Sequence, residues 1–386
     1  MKKILIFSTA YLPYVGGAEI AVKELTDRML DYEFDLITAR LDKKLPNFEK
    51  LGRVNVYRIG LGNKFDKFLL PFLGCWRALG LDKSRHYQII FSLMASQASI
   101  AAAWLKMLHS GKKLLLNLQE GDEEEHLKRY VLGSDWLYSR LIKPWHLLVF
   151  KKADLVIAIS ESLKQRAAVN GVKCQLAVVP NGVDLKKFSI FNFQFSIKDI
   201  KNKLGFSEND KVLITASRLV KKNAVDDVIK ALEYLPENIK FLILGDGPDR
   251  KMLEDLVVKL KLQNRVIFKG AYDNDDLPQY LAIADVFVRP SLSEGQGIAF
   301  LEAMAAGVPV VATPVGGIVD FLTDNETGLF CKVNNPQSIA EQVKALLNNK
   351  ELAEKIKTSA SQLVEKDYDW NLIAVKMKKI FETIMN

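Results

Sequence analysis

Short runs of branched and aromatic residues alternate along this chain with longer stretches in which apolar side chains recur every three to four positions. Runs of the first kind, flanked by turn residues, predict buried strands, and stretches of the second kind predict helices packed on them. The pattern predicts strands at residues 3–9, 34–38, 54–59, 88–92, 113–118 and 154–159. It predicts a helix over 17–30 with Ile20, Ala21, Leu25, Met29 and Leu30 on one side. Further on, strands are predicted at 211–217, 239–244, 265–269, 285–288 and 308–312, each separated from the next by a helix-length pattern. Such alternation specifies parallel α/β sheets covered by helices. It reads as two successive doubly wound units, with their boundary near Asn181–Phe195. There Pro180-Asn181-Gly182 and Lys186-Lys187 lead into a patchwork without a period. The domains are therefore expected at residues 1–187 and 196–367. Two such sheets side by side are expected to leave a central cleft at the carboxyl ends of their strands, where loops and helix N-termini gather around ligands.

Composition narrows the class. Of 386 residues, 49% are apolar and 26% charged, which excludes a disordered or fibrous chain. Cys75, Cys174 and Cys331 are odd in number and far apart, arguing against a disulfide framework or a cysteine zinc site. None of the four histidines forms an H-x3-H pattern, so a zinc hydrolase is disfavoured. No 18 consecutive apolar residues occur, so no membrane-spanning helix is expected. The opening Met1–Phe7 resembles a signal peptide, but Ser8, Thr9, Tyr11 and Pro13 interrupt it at once. It reads better as a first buried strand, and the expected location is the cytoplasm. The net charge of +8 divides into +10 for residues 1–187 and −2 for residues 188–386. Nucleic acid, an acidic lipid surface and plain solubility each fit a basic first domain.

Candidate chemistry lies in loops that follow strands. Pro13-Tyr14-Val15-Gly16-Gly17-Ala18-Glu19 opens the first helix, where two glycines let backbone approach a ligand and free N–H groups favour an anion. The same glycines also fit a plain turn. Ser217-Arg218-Leu219-Val220-Lys221-Lys222 ends a strand with a guanidinium fork and ammonium groups placed to neutralise a diphosphate, though a solvated charged loop has the same composition. Pro290–Pro309 reads as loop, helix, glycine stop and next strand, with Gly295 and Gly297 at the helix start. Eight residues of continuous helix would separate Glu294 from Glu302 by about 12 Å, beyond the roughly 5–9.5 Å of a glycoside hydrolase acid pair. Glu294 is expected in the loop and Glu302 on the helix, each accepting from hydroxyls. As dinucleotide fingerprints, Gly295-x-Gly297-x-x-Phe300 and Gly245–Arg250 both lack the third glycine, which disfavours an oxidoreductase.

The Glu294-x7-Glu302 spacing resembles the E-x7-E motif of the retaining glycosyltransferases of family 4. Pro180-Asn181-Gly182-Val183-Asp184, Leu244-Gly245-Asp246-Gly247-Pro248 and Thr313-Pro314-Val315-Gly316-Gly317 follow that family's order of segments. The resemblance is strong over the second half and looser over residues 40–150. It implies a GT-B fold of two Rossmann-like domains facing a cleft, with a final helix after Tyr368-Asp369-Trp370, residues 368–386, crossing back to the first domain. It also implies transfer of a sugar from a nucleoside diphosphate sugar to a hydroxyl of a glycan or lipid-linked glycan, with retained configuration and without metal or cofactor. Residue by residue, Gly16 and Gly17 would approach the donor diphosphate, and Arg218 and Lys222 would stabilise the charge that develops on it. Glu294 would hold the sugar hydroxyls, the amides near Gly297, Ile298 and Ala299 the phosphates, and Glu302 the ribose.

Two positions depart from the family pattern. The lysine usually stands five residues after the arginine and precedes a glycine; here Asn223 and Ala224 stand there, and Lys222 is assigned the phosphate role. A histidine often follows the strand near residue 118; here the segment is Asn117-Leu118-Gln119-Glu120-Gly121-Asp122, so Gln119 or Glu120 is the candidate sugar contact and His126 reads as a surface residue. The aromatic and basic residues of 61–90 and 127–152 fit either contact with an anionic membrane, peripheral on its inner face, or a core helix face with snorkelling lysines. The expected partners are then the donor, the acceptor and an acidic lipid surface, without nucleic acid. A nucleotide-sugar epimerase and an inactive sugar-nucleotide-binding protein are the competing functions; the first lacks a histidine–carboxylate cluster in the second half.

Overall fold

In the computed structural model, which describes residues 1–14, 16–119, 128, 131, 133–188 and 197–385, the buried runs form two separate sheets. Met1–Asn181 and Trp370–Asn386 make up the first unit, and Gly182–Asp369 the second. The first sheet has eight strands: β1 (Lys2–Phe7), β2 (Tyr32–Ala39), β3 (Phe48–Leu51), β4 (Val54–Ile59), β5 (Ile89–Leu93), β6 (Lys113–Leu118), β7 (Leu155–Ala158) and β8 (Gln175–Val178). Their order is β3-β4-β2-β1-β5-β6-β7-β8, parallel throughout except for β3, which runs antiparallel to β4 at the edge. Ile4 of β1 sits between Phe34 and Ile89, and Ile4–Phe7 are wholly buried, as a strand covered on both faces must be.

Helices Asp66–Arg85, Gln97–Leu108 and Lys143–Lys152 cover one face of this sheet. Gly74 and the alanines around Ala101 lack bulk, which lets the first two helices pack closely. Helices Gly17–Arg28 and Trp370–Met385 cover the other face. The last helix buries Trp370, Ile373, Ala374, Met377, Phe381 and Ile384, one turn apart, with Phe381 5.7 Å from both the Tyr32 and Phe91 rings. The first helix differs from the predicted 17–30. Met29 leaves the helical region, so the periodicity stops and Leu30 is 63% exposed, while Ala18, Ala21, Val22 and Leu25 form the buried face.

The second sheet has six strands: β9 (Lys211–Ala216), β10 (Ile239–Leu244), β11 (Val266–Gly270), β12 (Val286–Arg289), β13 (Val310–Ala312) and β14 (Leu329–Phe330). Their order is β11-β10-β9-β12-β13-β14, all parallel. Val225–Ala231, Arg250–Lys259 and Pro336–Asn348 pack on one face, and Leu277–Ala282 and Ile298–Ala305 on the other. Each unit is thus a Rossmann-like sheet whose strand order reverses once, between β1 and β5 in the first and between β9 and β12 in the second. Loops diverge at such a reversal and open a crevice beyond the strand ends. No helix among the described residues is long and apolar enough to cross a membrane.

Candidate functional site

The reversal in the second unit is bounded by the loops after β9 and β12. The first carries Arg218, whose side chain is exposed, and turns through the 3₁₀ segment Lys221–Asn223, where Lys222 is half-buried. The buried Asn223 side chain donates to the Arg218 carbonyl at 2.6 Å, so it closes the turn from inside. Ala224 follows with φ +48°, the left-handed conformation that favours glycine. The amide of Leu292 donates to the Lys222 carbonyl at 2.7 Å, which ties the two loops together. The loop after β10 packs against the same segment: Leu219 exchanges backbone hydrogen bonds with Asp246 and Asp249 at 3.0 and 3.1 Å. A Cβ on Gly245 would strike the Ser217 carbonyl, and one on Gly247 the Leu219 carbonyl. These glycines serve close backbone packing.

β12 ends in Arg289, 5% exposed, whose Nη1 donates to the Ala216 carbonyl of β9 at 3.3 Å. Its Nη2 lies 2.7 Å from Glu294 Oε2, and its guanidinium stands 4.0 Å from the Phe300 ring centroid. Glu294 Oε1 accepts from the Gly295 amide at 3.1 Å. The carboxylate is thus held on both oxygens, at the end of the loop that precedes helix Ile298–Ala305. Gly297 caps that helix with φ +85° and no side-chain hydrogen bond, so the first-turn amides at Ile298 and Ala299 lack a side-chain cap. A Cβ on Gly297 would come within 2.5 Å of Arg289 Nη2. The loop after β13 supports Glu294 from behind: the Gly317 amide donates to the Glu294 carbonyl at 3.1 Å, and a Cβ on Gly316 would collide with that carbonyl.

Glu302 lies one turn into the same helix and is 8% exposed. Burial pushes the Tyr272 hydroxyl well above its ordinary range, and the Glu302 charge pushes it further. The Thr215, Ser217 and Ser291 hydroxyls and Arg289 Nε are buried without a hydrogen-bond partner. All four belong to the ends of β9 and β12 or the residues directly after them. Orphaned polar atoms are uncommon in a folded interior, and these are four of the ten found among the described residues. Arg218, Lys222, Glu294, Gly297, Ile298, Ala299 and Glu302 therefore all belong to the loops and helix at one reversal. Arg289 escaped the sequence reading; its signal is a single charge closing the apolar run Val286-Phe287-Val288 before Pro290.

In the first unit, Gly16 is the extended N-cap of helix Gly17–Arg28, without a side-chain cap, and a Cβ there would come within 2.6 Å of Glu19 Oε2. Gln119, just past β6, exchanges two hydrogen bonds with Asn181, of 2.8 and 3.2 Å. Val15, Glu120, Gly121, Asp122 and His126 lie outside the described residues. Burial raises the thiols of Cys75, Cys174 and Cys331, the last to about 12.

The chain as a whole is similar to known proteins. Residues 196–363 match the model for "Glycosyl transferases group 1", and residues 15–187 match that for "Glycosyltransferase Family 4". The N-acetyl-alpha-D-glucosaminyl L-malate synthase of Bacillus anthracis is 28% identical, over 99% of this chain and 98% of that protein. Among solved structures, sucrose-phosphate synthase from Thermosynechococcus elongatus superposes with a TM-score of 0.83 at 20% identity, covering 100% of this chain and 99% of the other. HepE of Anabaena, in complex with UDP and glucose, superposes with a TM-score of 0.80 at 21% identity, covering 99% and 100%.

Proposed function

The chain belongs to glycosyltransferase family 4 and has the GT-B fold, and from that premise we propose that it moves a sugar from a nucleoside diphosphate sugar to a hydroxyl of a glycan or lipid-linked glycan. The configuration at the anomeric carbon is retained, no metal takes part, and the protein works in the cytoplasm at the inner face of the membrane. When the bond between the anomeric carbon and the phosphate oxygen breaks, negative charge gathers on the departing diphosphate. Arg218, Lys222 and the uncapped amides at Ile298 and Ala299 stabilise that charge, and their contribution is greatest in the transition state. The acceptor hydroxyl forms the new C–O bond on the face the phosphate leaves, and its proton passes to the departing phosphate oxygen. Glu294 accepts from the sugar hydroxyls and Glu302 from the ribose. From the first unit, Gly16 and Gly17 keep the diphosphate role that the family pattern implies, and either Gln119 or Glu120 takes the sugar contact where that pattern has a histidine.

The observation that carries this reading is the gathering of cations, an uncapped helix start and four orphaned polar atoms at one strand-order reversal. HepE, with UDP and glucose bound, supports the donor class. The test has two stages: thermal shift against a panel of uridine and guanosine diphosphate sugars, then hydrolysis of the stabilising donor. Arg218→Ala removes an exposed side chain and is expected to lower hydrolysis about 10²-fold or more with the melting temperature unchanged. Glu294→Ala is expected to abolish it, and excess chelator to leave it intact. Hydrolysis unchanged in both variants would refute the assignment; binding without turnover would mark a sensor, and an epimerised nucleotide sugar an epimerase.

A further inference from the structure

Helix Asp66–Arg85 is apolar on two opposite faces. Leu70, Gly74, Ala78 and Asp82, four residues apart, are buried toward the sheet. On the other side Phe65, Phe68, Phe72 and Trp76 form a second ladder at helical spacing, and it faces solvent: Phe65 is 74% exposed, Phe72 64% and Trp76 75%. This ladder does not end at the helix. The neighbouring helices Gln97–Leu108 and Lys143–Lys152 continue the layer, with the Phe72 ring 5.0 Å from that of Trp104 and Trp104 5.7 Å from Trp145, both edge to face. An aromatic strip therefore runs across three packed helices, where a single scattered exposed ring would need no explanation.

The charges around the strip have one sign. The three helices hold eight lysines and arginines and only two acidic residues, Asp66 and Asp82, both of which are buried. Asp82 is paired with Lys112 at 2.6 Å, and Asp66 accepts from the Gly62 amide at 2.6 Å. Lys83, Lys143 and Lys151 are exposed, as is Lys64 beside Phe65 in the chain. The outer face of this layer is thus cationic and aromatic, with no acidic side chain exposed on any of its helices.

We propose that this face docks on an anionic lipid bilayer, with the rings at the headgroup level and the lysines against lipid phosphates. Aromatic side chains suit the interface between water and hydrocarbon, and each basic residue near an anionic surface adds binding free energy. A protein partner would have to present a long acidic surface free of its own apolar covering, whereas an anionic membrane offers both features everywhere. The proposal deepens the sugar-transfer reading by naming how a lipid-linked acceptor is met. Binding itself does not depend on that reading.

The full chain is sedimented with vesicles of phosphatidylcholine alone and of phosphatidylcholine with about one third phosphatidylglycerol. Binding to the anionic vesicles alone is expected, weakening with salt, and by about fivefold for each of Lys64→Gln and Lys143→Gln. Phe72→Ser/Trp76→Ser is expected to lower it more than tenfold, with donor hydrolysis unchanged and the melting temperature lowered slightly, because Phe72 gives up its edge-to-face contact with Trp104. Absence of binding at low salt, equal binding to both vesicles, or an unaffected double variant would overturn the proposal. So would a concentration-dependent dimer in ultracentrifugation that the same double variant abolishes, since the face would then belong to a second copy. Donor hydrolysis in vesicle-free solution is read in parallel, so a failure of sugar chemistry is seen separately from a failure of docking.

Discussion

The ion pair between Arg289 and Glu294 is the contact on which the second unit's site geometry most depends. Replacing Arg289 with Met keeps much of the volume and removes the charge. The Glu294 carboxylate, 15% exposed, would then keep only the Gly295 amide as a protein partner. Removing one member of a buried pair costs about 3–5 kcal/mol. The partial exposure of Glu294 and its remaining hydrogen bond place the loss near the lower end, about 3 kcal/mol, including about 1 kcal/mol from the stack on Phe300. Arg289→Met/Glu294→Gln leaves no charge unpaired and is expected to recover about 1–2 kcal/mol of that loss. The assay follows from the sequence: Trp76, Trp104, Trp136, Trp145 and Trp370 all lie in the first unit. Tryptophan fluorescence in a denaturant titration therefore reports the first unit, and circular dichroism reports both. Arg289→Met is expected to shift the dichroism transition more than the fluorescence transition. A loss below about 1 kcal/mol, or a double variant no more stable than the single one, would refute the reasoning.

Two further outcomes follow from local geometry. Ala224 occupies a left-handed conformation, so Ala224→Gly removes about 1–2 kcal/mol of strain against roughly 0.5–1 kcal/mol of added chain entropy; the melting temperature is expected to rise by one to a few degrees, and a fall would contradict the strain assignment. With its thiol pushed up to about 12, Cys331 is about one part in ten thousand thiolate at pH 8, and Cys75 is buried as well. Titration with a disulfide reagent is expected to modify Cys174 alone in the native protein and all three thiols in denaturant; rapid modification of two or more natively would count against it.

What could be read from the sequence follows from burial. β1, β9 and β10 are central and covered on both faces, so they appear as apolar runs, and their predicted positions match to within two residues. β3, β8 and β14 escaped the sequence reading and all three lie at sheet edges, whereas β11, also at an edge, shows as the apolar run Val266-Ile267-Phe268. Phe48-Glu49-Lys50-Leu51 alternates in exposure, Gln175–Val178 is never fully buried, and Leu329–Phe330 is too short to show a period. An edge strand is held by backbone pairing on one side, and side-chain pattern records that weakly. The same distinction runs through the site. Glu294 in a loop and Glu302 on a helix were legible, because glycine punctuation and spacing encode where a helix begins. The support beneath them was not, because it is made by backbone: the Leu292 amide on Lys222, the Gly317 amide on Glu294, and three glycines whose missing Cβ atoms let loops touch. Asn223 shows the consequence. Sequence alone left Asn223 and Lys222 competing for the phosphate position. The Asn223 amide closes the turn on the Arg218 carbonyl, a contact with main chain that no residue spacing records.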